Sequence, residues 1–302
     1  MSHELAIVIP AFKADFLKSA LSSIAHQTCK DFIVYIGDDC SPYDLKSIVK
    51  EFENVFPLVY KRFDNNMGGK DLVCQWNRCL DMTHGEKWFW LFSDDDMMGP
   101  RCVELFYNQL KSFPIYDVYH FDVKVIDDNN NITSIPNSYP EVISYYDYYR
   151  GKMQGRFLSL VVENIFSYEI WKETGGFENF DLAWGNDTAS WVKFMHKTGM
   201  KTIHGDNVFW RCSNQNISPN TSEDIMIRKL NALNNFYKWS VSFFNNKGFN
   251  LRLLNLYTYY RRIRNFRKYV SQNEVKRSNH QFCINHNLLV IEPILYLLTK
   301  KQ

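Results

Sequence analysis

The sequence predicts an α/β protein: a central, mostly parallel sheet flanked by helices, with a helical extension at the C-terminus. Three observations carry this expectation. Strand-like apolar runs alternate with segments of helical spacing through most of the first 225 residues, the order that builds parallel βαβ units. Residues 87–100 read KWFWLFSDDDMMGP, five large apolar residues leading straight into Asp94, Asp95 and Asp96; a run without alternation marks a strand buried on both faces. The charge is also divided. The net charge is +2, yet residues 226–302 hold 14 Lys and Arg against 2 Asp and Glu, so the tail carries +12 and the preceding residues −10. We therefore place one domain at 1–225 and a basic helical extension at 226–302.

Leu5 to Ile9 is a strand ending at Pro10, and Asp15 to Gln27 follows as a helix, with Leu17, Leu21 and Ile24 on one face. Phe32 to Ile36 is the second strand and runs into Gly37, Asp38, Asp39, Cys40, Ser41 and Pro42. A βαβ unit of this length makes the two strands parallel, so their carboxyl ends share one sheet edge. A third strand is expected at Leu58 to Phe63, then an NNMGG turn, a helix over about 69–82 and the KWFWLF strand. Pro100 to Phe113 is an amphipathic helix, Val118 to Ile126 a strand and 127–131 a turn. Residues 139–157 have no clear period. Order resumes from Val161, and a helix starts at Asn186 or Asp187 and runs to about Lys197.

Asp94, Asp95 and Asp96 stand at a strand's carboxyl end, where open α/β sheets bind ligands. Carboxylates this close repel one another unless a cation lies among them. Mg²⁺ or Mn²⁺ suits oxygen ligands and commonly binds through one or two carboxylates plus substrate phosphates. The second reading is that the aspartates cap the helix at Pro100. Asp38 and Asp39 have a similar second reading, as an ordinary strand-end turn.

At 45% hydrophobic residues, the 302-residue chain can bury a large core. Its seven cysteines form no CxxC pair and no zinc-type spacing, which fits a reducing cytosol. The start, MSHELAIVIP, lacks the pattern of a secretory leader. The longest apolar stretch, Leu288 to Leu298, is too short for a span and is broken by Glu292 and Pro293.

The strand ending in Pro10-Ala11-Phe12, FIVYIGDDCSP, the Asn/Gly turn, FSDDDMMGP, ETGGF and WGND, in this order, resemble the family 2 glycosyltransferases over about residues 4–218. The resemblance implies the GT-A fold, a Rossmann-like nucleotide-diphospho-sugar transferase fold. It implies that Pro10, Ala11 and Phe12 line the nucleotide pocket and that Asp39 accepts the N–H of a uracil-like base. Asp94 would lie by the ribose, with Asp95, and Asp96 as a further candidate, at the metal. The usual Asp-x-Asp-Asp pattern is shifted here, with Ser93 at its first position. Asp187 matches the catalytic base, with Asn186 where most members have Glu; its alternative is an N-cap for the following helix. Asn65, Asn66, Gly68 and Gly69 match the family's turn and Asn77 its helix asparagine, while Trp76 stands where an arginine often precedes it. Arg211 is therefore the candidate cation for the diphosphate, since guanidinium matches phosphate oxygens. Trp184 and Trp210 are candidates for stacking on sugar, or core; His204 is a candidate metal ligand, or structural.

In the tail, Tyr259, Ile263, Phe266 and Val270 share one face of a helix whose other faces carry Arg261, Arg262, Arg264, Arg267 and Lys268. That face can meet anionic lipid, the main domain or a second subunit; nucleic acid fits poorly with an acidic catalytic part. The function implied is an inverting, metal-dependent glycosyltransferase of the cytoplasm or the inner membrane face. It would move a sugar from a nucleotide-diphosphate donor, a UDP-sugar first, to a hydroxyl of a glycan or lipid-linked glycan in cell-surface polysaccharide synthesis. Two alternatives are a nucleotide-sugar-binding protein without turnover and a sugar-phosphate nucleotidyltransferase, although PAFKAD offers a triphosphate only Lys13 and no glycine. Loops near 137–160 and 205–222 would set specificity.

Overall fold

The fold, taken from a computed structural model, is described for residues 3–213 and 220–300. Residues 214–219 of the expected specificity loop lie outside this description. The chain begins β1 (Leu5–Ala11), α1 (Leu17–Ala25), β2 (Ile33–Asp38), α2 (Leu45–Lys50), β3 (Leu58–Arg62), α3 (Leu72–Leu80) and β4 (Trp88–Leu91). These four strands pair in parallel in the order β3-β2-β1-β4. It continues through β5 (Met97–Met98), α4 (Cys102–Ser112), β6 (Val118–Ile126), β7 (Ile132–Ser134) and β8 (Val142–Ile143). Then come α5 (Tyr145–Gln154), β9 (Asn164–Ser167), α6 (Tyr168–Glu173), α7 (Asn186–Phe194) and β10 (Met200–Arg211).

Beyond β4 the sheet order is β9-β6-β10-β5, with β9 antiparallel to both its neighbours and β6 parallel to β10. The reversal has a local cause. Leu158 to Val162 lie in the cleft at the carboxyl edge, so the chain enters β9 from that edge and must run back against β4.

Two packed layers cover the sheet. Ala6, Val8, Phe89 and Leu91 face one side, and Leu5, Ile7, Trp88 and Trp90 the other, so β4 is buried on both faces as its unalternating sequence requires. The segment 139–157, without a period in the sequence, contains α5. Its signals are caps: Ser144 accepts from the Asp147 N–H, and Gly155 ends the helix at φ +77°.

The tail forms α8 (Glu223–Asn245), α9 (Arg252–Phe266), α10 (Gln272–His286) and α11 (Glu292–Thr299). Tyr259, Ile263, Phe266 and Val270 are all buried. The Tyr259 ring stacks on Phe282 at 4.0 Å between centroids, and its hydroxyl donates to Asn279 at 3.0 Å. Of the three covers expected for this face, packing within the chain is the one found, so the face does not meet lipid. Leu233, Phe236 and Phe282 belong to the same buried cluster as Val8 and Phe166, so extension and sheet share a core. No helix among the described residues is long and apolar enough to cross a membrane.

A shared core unfolds as a unit. Ile263→Ala should cost about 2–5 kcal/mol and lower one common denaturation midpoint, read by tryptophan fluorescence and far-UV circular dichroism together. Separate transitions for the two probes would show an independent tail.

Candidate active site

Because β1, β2 and β4 are parallel, their carboxyl ends bring three loops to one edge, and carboxylates there are held by main-chain donors of neighbouring loops. Asp94 accepts the N–H groups of Phe12 and Lys13, both at 2.7 Å, which fixes the loop after β1. Asp39 accepts those of Met67 at 2.6 Å and Gly68 at 2.8 Å, and also pairs with Arg78. A side chain at residue 68 would put its Cβ 2.8 Å from the Asp39 carboxylate, so glycine lets the turn close on it. Asn66 accepts from the Gly69 N–H at 2.7 Å within that turn. Asp38 is spent on structure: Ser41 N–H, Tyr60 hydroxyl and Arg62 all donate to it.

Asp96 accepts the Arg211 N–H at 2.7 Å, across from β10. None of the three clustered aspartates caps α4, whose N-terminal N–H of Arg101 is taken by Asp206. Burial raises the Asp94 carboxyl to about 6, with the Asp95 charge adding to it. Burial and then Asp95 raise Asp96 as well. The cation in the cluster is Lys13: its ammonium pairs with Asp95 and lies 3.9 Å from Asp94. Burial works against its charge, but Asp95 and Asp94 outweigh that and lift its pKa. The other oxygen of Asp95 accepts from Ser93 at 2.5 Å.

Among the described residues no three His, Cys, Asp or Glu side chains are grouped to hold a metal by themselves. A cation that takes one carboxylate and completes its shell with substrate phosphates does fit Asp95, provided the Lys13 ammonium moves aside.

A cleft of about 1100 Å³ runs from this edge to the tail. Pro10, Ala11, Phe12, Asp39, Asn66 and Asp94 to Asp96 line one end, and Asp187, Trp184 and Trp210 also border it. Asp187 is not the cap of α7: the N-cap is Gly185, at φ +96°, and Asp187 sits inside the first turn. Its carboxylate has one hydrogen bond among the described residues, a long one from Thr188 at 3.4 Å. Asn186 is fully buried and accepts from the Phe180 N–H at 2.8 Å, so it shapes the loop.

Arg211 departs from expectation. It is fully buried and outside the cleft lining. Its guanidinium donates to the carbonyls of Asp95 at 2.8 Å and Asp127 at 2.5 Å and to Asn130 at 2.6 Å, and lies 4.2 Å from the Phe16 ring centre. It braces the aspartate turn from behind instead of meeting a diphosphate. His204 pairs with Asp122 at 3.7 Å, also outside the cleft lining. Residues passed over in the sequence include Arg78, which stacks 3.9 Å from the Phe63 ring centre and holds Asp39.

The wall near Asp187 is the loop Leu158–Val162. Its carbonyls are pinned by Trp90 on Val162 at 2.6 Å, Trp191 on Leu160 at 2.7 Å and Tyr139 on Leu158 at 2.7 Å. Glu163 closes it by accepting the Leu160 N–H at 2.7 Å, and its other oxygen has no hydrogen-bond partner among the described residues. Burial pushes the Glu163 carboxyl from the usual 4.5 to about 7, partly offset by that N–H.

A family model described as Glycosyl transferase family 2 matches residues 6–165, just over half of the chain. No curated protein matches it in sequence. Among solved structures it is similar to S. aureus TarS 1-349 in complex with UDP-GlcNAc, with a TM-score of 0.63 and 15% identity over 98% of this chain and 90% of that one. A longer S. aureus TarS chain gives a TM-score of 0.59 and 15% identity over 98% of this chain and 55% of that one. GalNAc-T7 with UDP, GalNAc and Mn²⁺ gives 0.53 and 11% over 76% and 47%. At such identities the likeness concerns the fold, which is the expected GT-A fold.

Glu163 supplies a test of this site. A carboxyl raised on folding binds its proton more tightly in the native state, so its contribution to stability is lost as pH rises from about 4.5 through about 7. The loss amounts to roughly 3 kcal/mol. The urea midpoint of the wild type should fall between about pH 4.5 and 7, and Glu163→Gln should flatten that fall. Parallel curves would contradict the assignment.

Proposed function

Because the chain belongs to glycosyl transferase family 2, we propose that it moves a sugar from a nucleotide-diphosphate donor, UDP-linked first, to an acceptor hydroxyl with inversion at the anomeric carbon. The acceptor on this reading is a glycan or lipid-linked glycan in cell-surface polysaccharide synthesis. The observation that carries it is the placement of Asp187, a carboxylate with little hydrogen bonding of its own, in one cleft with Asp39, Asp94 and Asp95.

Asp39 and the Pro10-Ala11-Phe12 loop receive the base, the carboxylate taking its N–H alongside the donors it already accepts. Asp94 lies by the ribose. The expected diphosphate role of Arg211 passes to Lys13, the cation that stands at Asp95 and on the cleft wall. Asp95, with Asp96 beside it, would hold Mg²⁺ or Mn²⁺, which when bound neutralises charge on the departing diphosphate. Asp187 takes the proton of the acceptor hydroxyl as its oxygen bonds to the anomeric carbon and the bond from that carbon to the diphosphate oxygen breaks. A positioned base of this kind contributes roughly 10²–10⁴-fold.

Peripheral membrane contact, on this reading, belongs to α11 and the turn before it, where Val290, Ile294, Leu297 and Leu298 are exposed, within the +12 tail. Co-sedimentation with phosphatidylglycerol vesicles should be lost in Leu297→Asp.

Asp187→Asn should reduce nucleotide release from UDP-sugars by about 10²-fold or more while UDP affinity stays within a few-fold by calorimetry. An equal loss of both would remove Asp187 from the base role. Lys13→Met should tighten Mn²⁺ binding in the absence of nucleotide, read by the electron paramagnetic resonance of free Mn²⁺, and weaken UDP binding. Unchanged Mn²⁺ affinity would show that Lys13 does not contend for Asp95.

A further inference from the structure

The two ends of the cleft carry separate cations. At the aspartate end the charges acting on Asp94 and Asp96 are those of Lys13 and of neighbouring aspartates. Toward Asp187 three other basic residues line the cleft, Lys152 from α5, Lys229 from α8 and Arg262 from α9; Lys229 is engaged by the Asn220 carbonyl at 2.8 Å and the Trp184 ring at 4.7 Å. The charges acting on Lys152 are those of Asp187, Arg262 and Glu163, with none from the Asp94–Asp96 cluster. Lys152 and Arg262 therefore stand within electrostatic reach of the base, and Lys152 is tied to the Leu158–Val162 wall through the Ser159 carbonyl.

Lys152 and Arg262 are not used up by the fold. Lys152 makes one hydrogen bond, to the Ser159 carbonyl at 3.1 Å. Arg262 is half-buried and has no hydrogen bond or ion pair among the described residues. On the same helix Arg261 and Arg264 are exposed, so Arg262 is the one of the three turned into the cleft. Two cations within electrostatic reach of each other, in a partly enclosed space, repel and lose hydration. Asp187 and Glu163 are acidic groups there but bond to neither cation. The cleft is thus poised for a ligand that brings negative charge.

Resting on the assignment of Asp187 as base, we infer that the acceptor carries an anionic group, a phosphate or a carboxylate, close to the hydroxyl that is glycosylated, and that Lys152 and Arg262 bind it. The planar guanidinium suits two oxygens of such a group, and the ammonium supplies a further donor. The donor's diphosphate is met at the other end by Lys13. A carboxylate on the donor sugar would present the same chemistry, and the test separates that source.

The full chain is titrated by calorimetry, with and without UDP and Mn²⁺, using paired probes. Glycerol 3-phosphate is set against glycerol and methyl β-glucuronide against methyl β-glucoside for the acceptor; UDP-glucuronate against UDP-glucose serves for the donor. The charged acceptor probes should bind about tenfold or more tightly than their neutral twins, the scale of a charge-assisted hydrogen bond. Arg262→Met should abolish that preference with UDP affinity unchanged within about twofold, and Arg262→Lys should restore part of it. Lys152→Met serves as the second variant if Arg262→Met does not fold. Equal binding of charged and neutral acceptor probes, or a preference that survives both substitutions, overturns the inference. A charge preference seen only between the two donors overturns the assignment to the acceptor. Failure of the wild type to bind UDP would strike at the glycosyltransferase reading itself, while the acceptor arms without UDP still decide the anion site.

Discussion

The structure depends on buried carboxylates that accept main-chain N–H groups across the carboxyl edge of the sheet. Asp39 holds the Met67-Gly68 turn, Asp94 holds the Phe12-Lys13 loop and Asp96 holds the end of β10 at Arg211. An ionised carboxylate out of water is tolerated only with such partners. Each bond therefore serves twice, fixing a loop that has no regular structure and keeping a charged group in the cleft. The rest follows from that edge: parallel strands deliver the loops there, and Arg211 ties Asp95 from behind through its carbonyl.

The same edge explains where the cation stands. Three adjacent aspartates need positive charge near them, and the chain supplies it as Lys13 from the first loop. On the proposed function, a substrate-borne diphosphate with its metal would replace one solution of the charge problem by another, linking donor binding to movement of a single side chain. At the far end the tail contributes to the cleft as well as to the core, through Met226, Leu233 and Arg262. A helical extension that shares the sheet's core gives that wall a fixed position relative to Asp187.

Much of this was readable from the sequence. The strands β1 to β4 and β6, the helices α1, α3, α4 and α7, the GT-A arrangement and the gathering of Asp39, Asp94, Asp95 and Asp187 around one cleft follow from apolar runs and motif order, whereas the short strands β5, β7 and β8 and the antiparallel β9 do not. Those signals are local, since a strand's burial pattern is written in its own residues and parallel crossovers leave one choice of edge. The helix α5 escaped because its sequence, YYDYYRGKMQ, is aromatic on several faces; its caps were the better signal.

What the sequence alone could not decide is which of two remote groups a polar side chain meets. Arg211 follows a strand in the position of a ligand-binding residue, yet β10 lies beside β6 and turns its guanidinium onto the Asp127 carbonyl. The basic helix α9 has the spacing of a membrane-facing element, yet α10 covers its apolar face and one arginine enters the cleft. Amphipathic periodicity states that a face must be covered and a charge must find a partner. The identity of the cover and of the partner depends on which elements, distant in the chain, become neighbours in the packed fold, and that is set by tertiary structure.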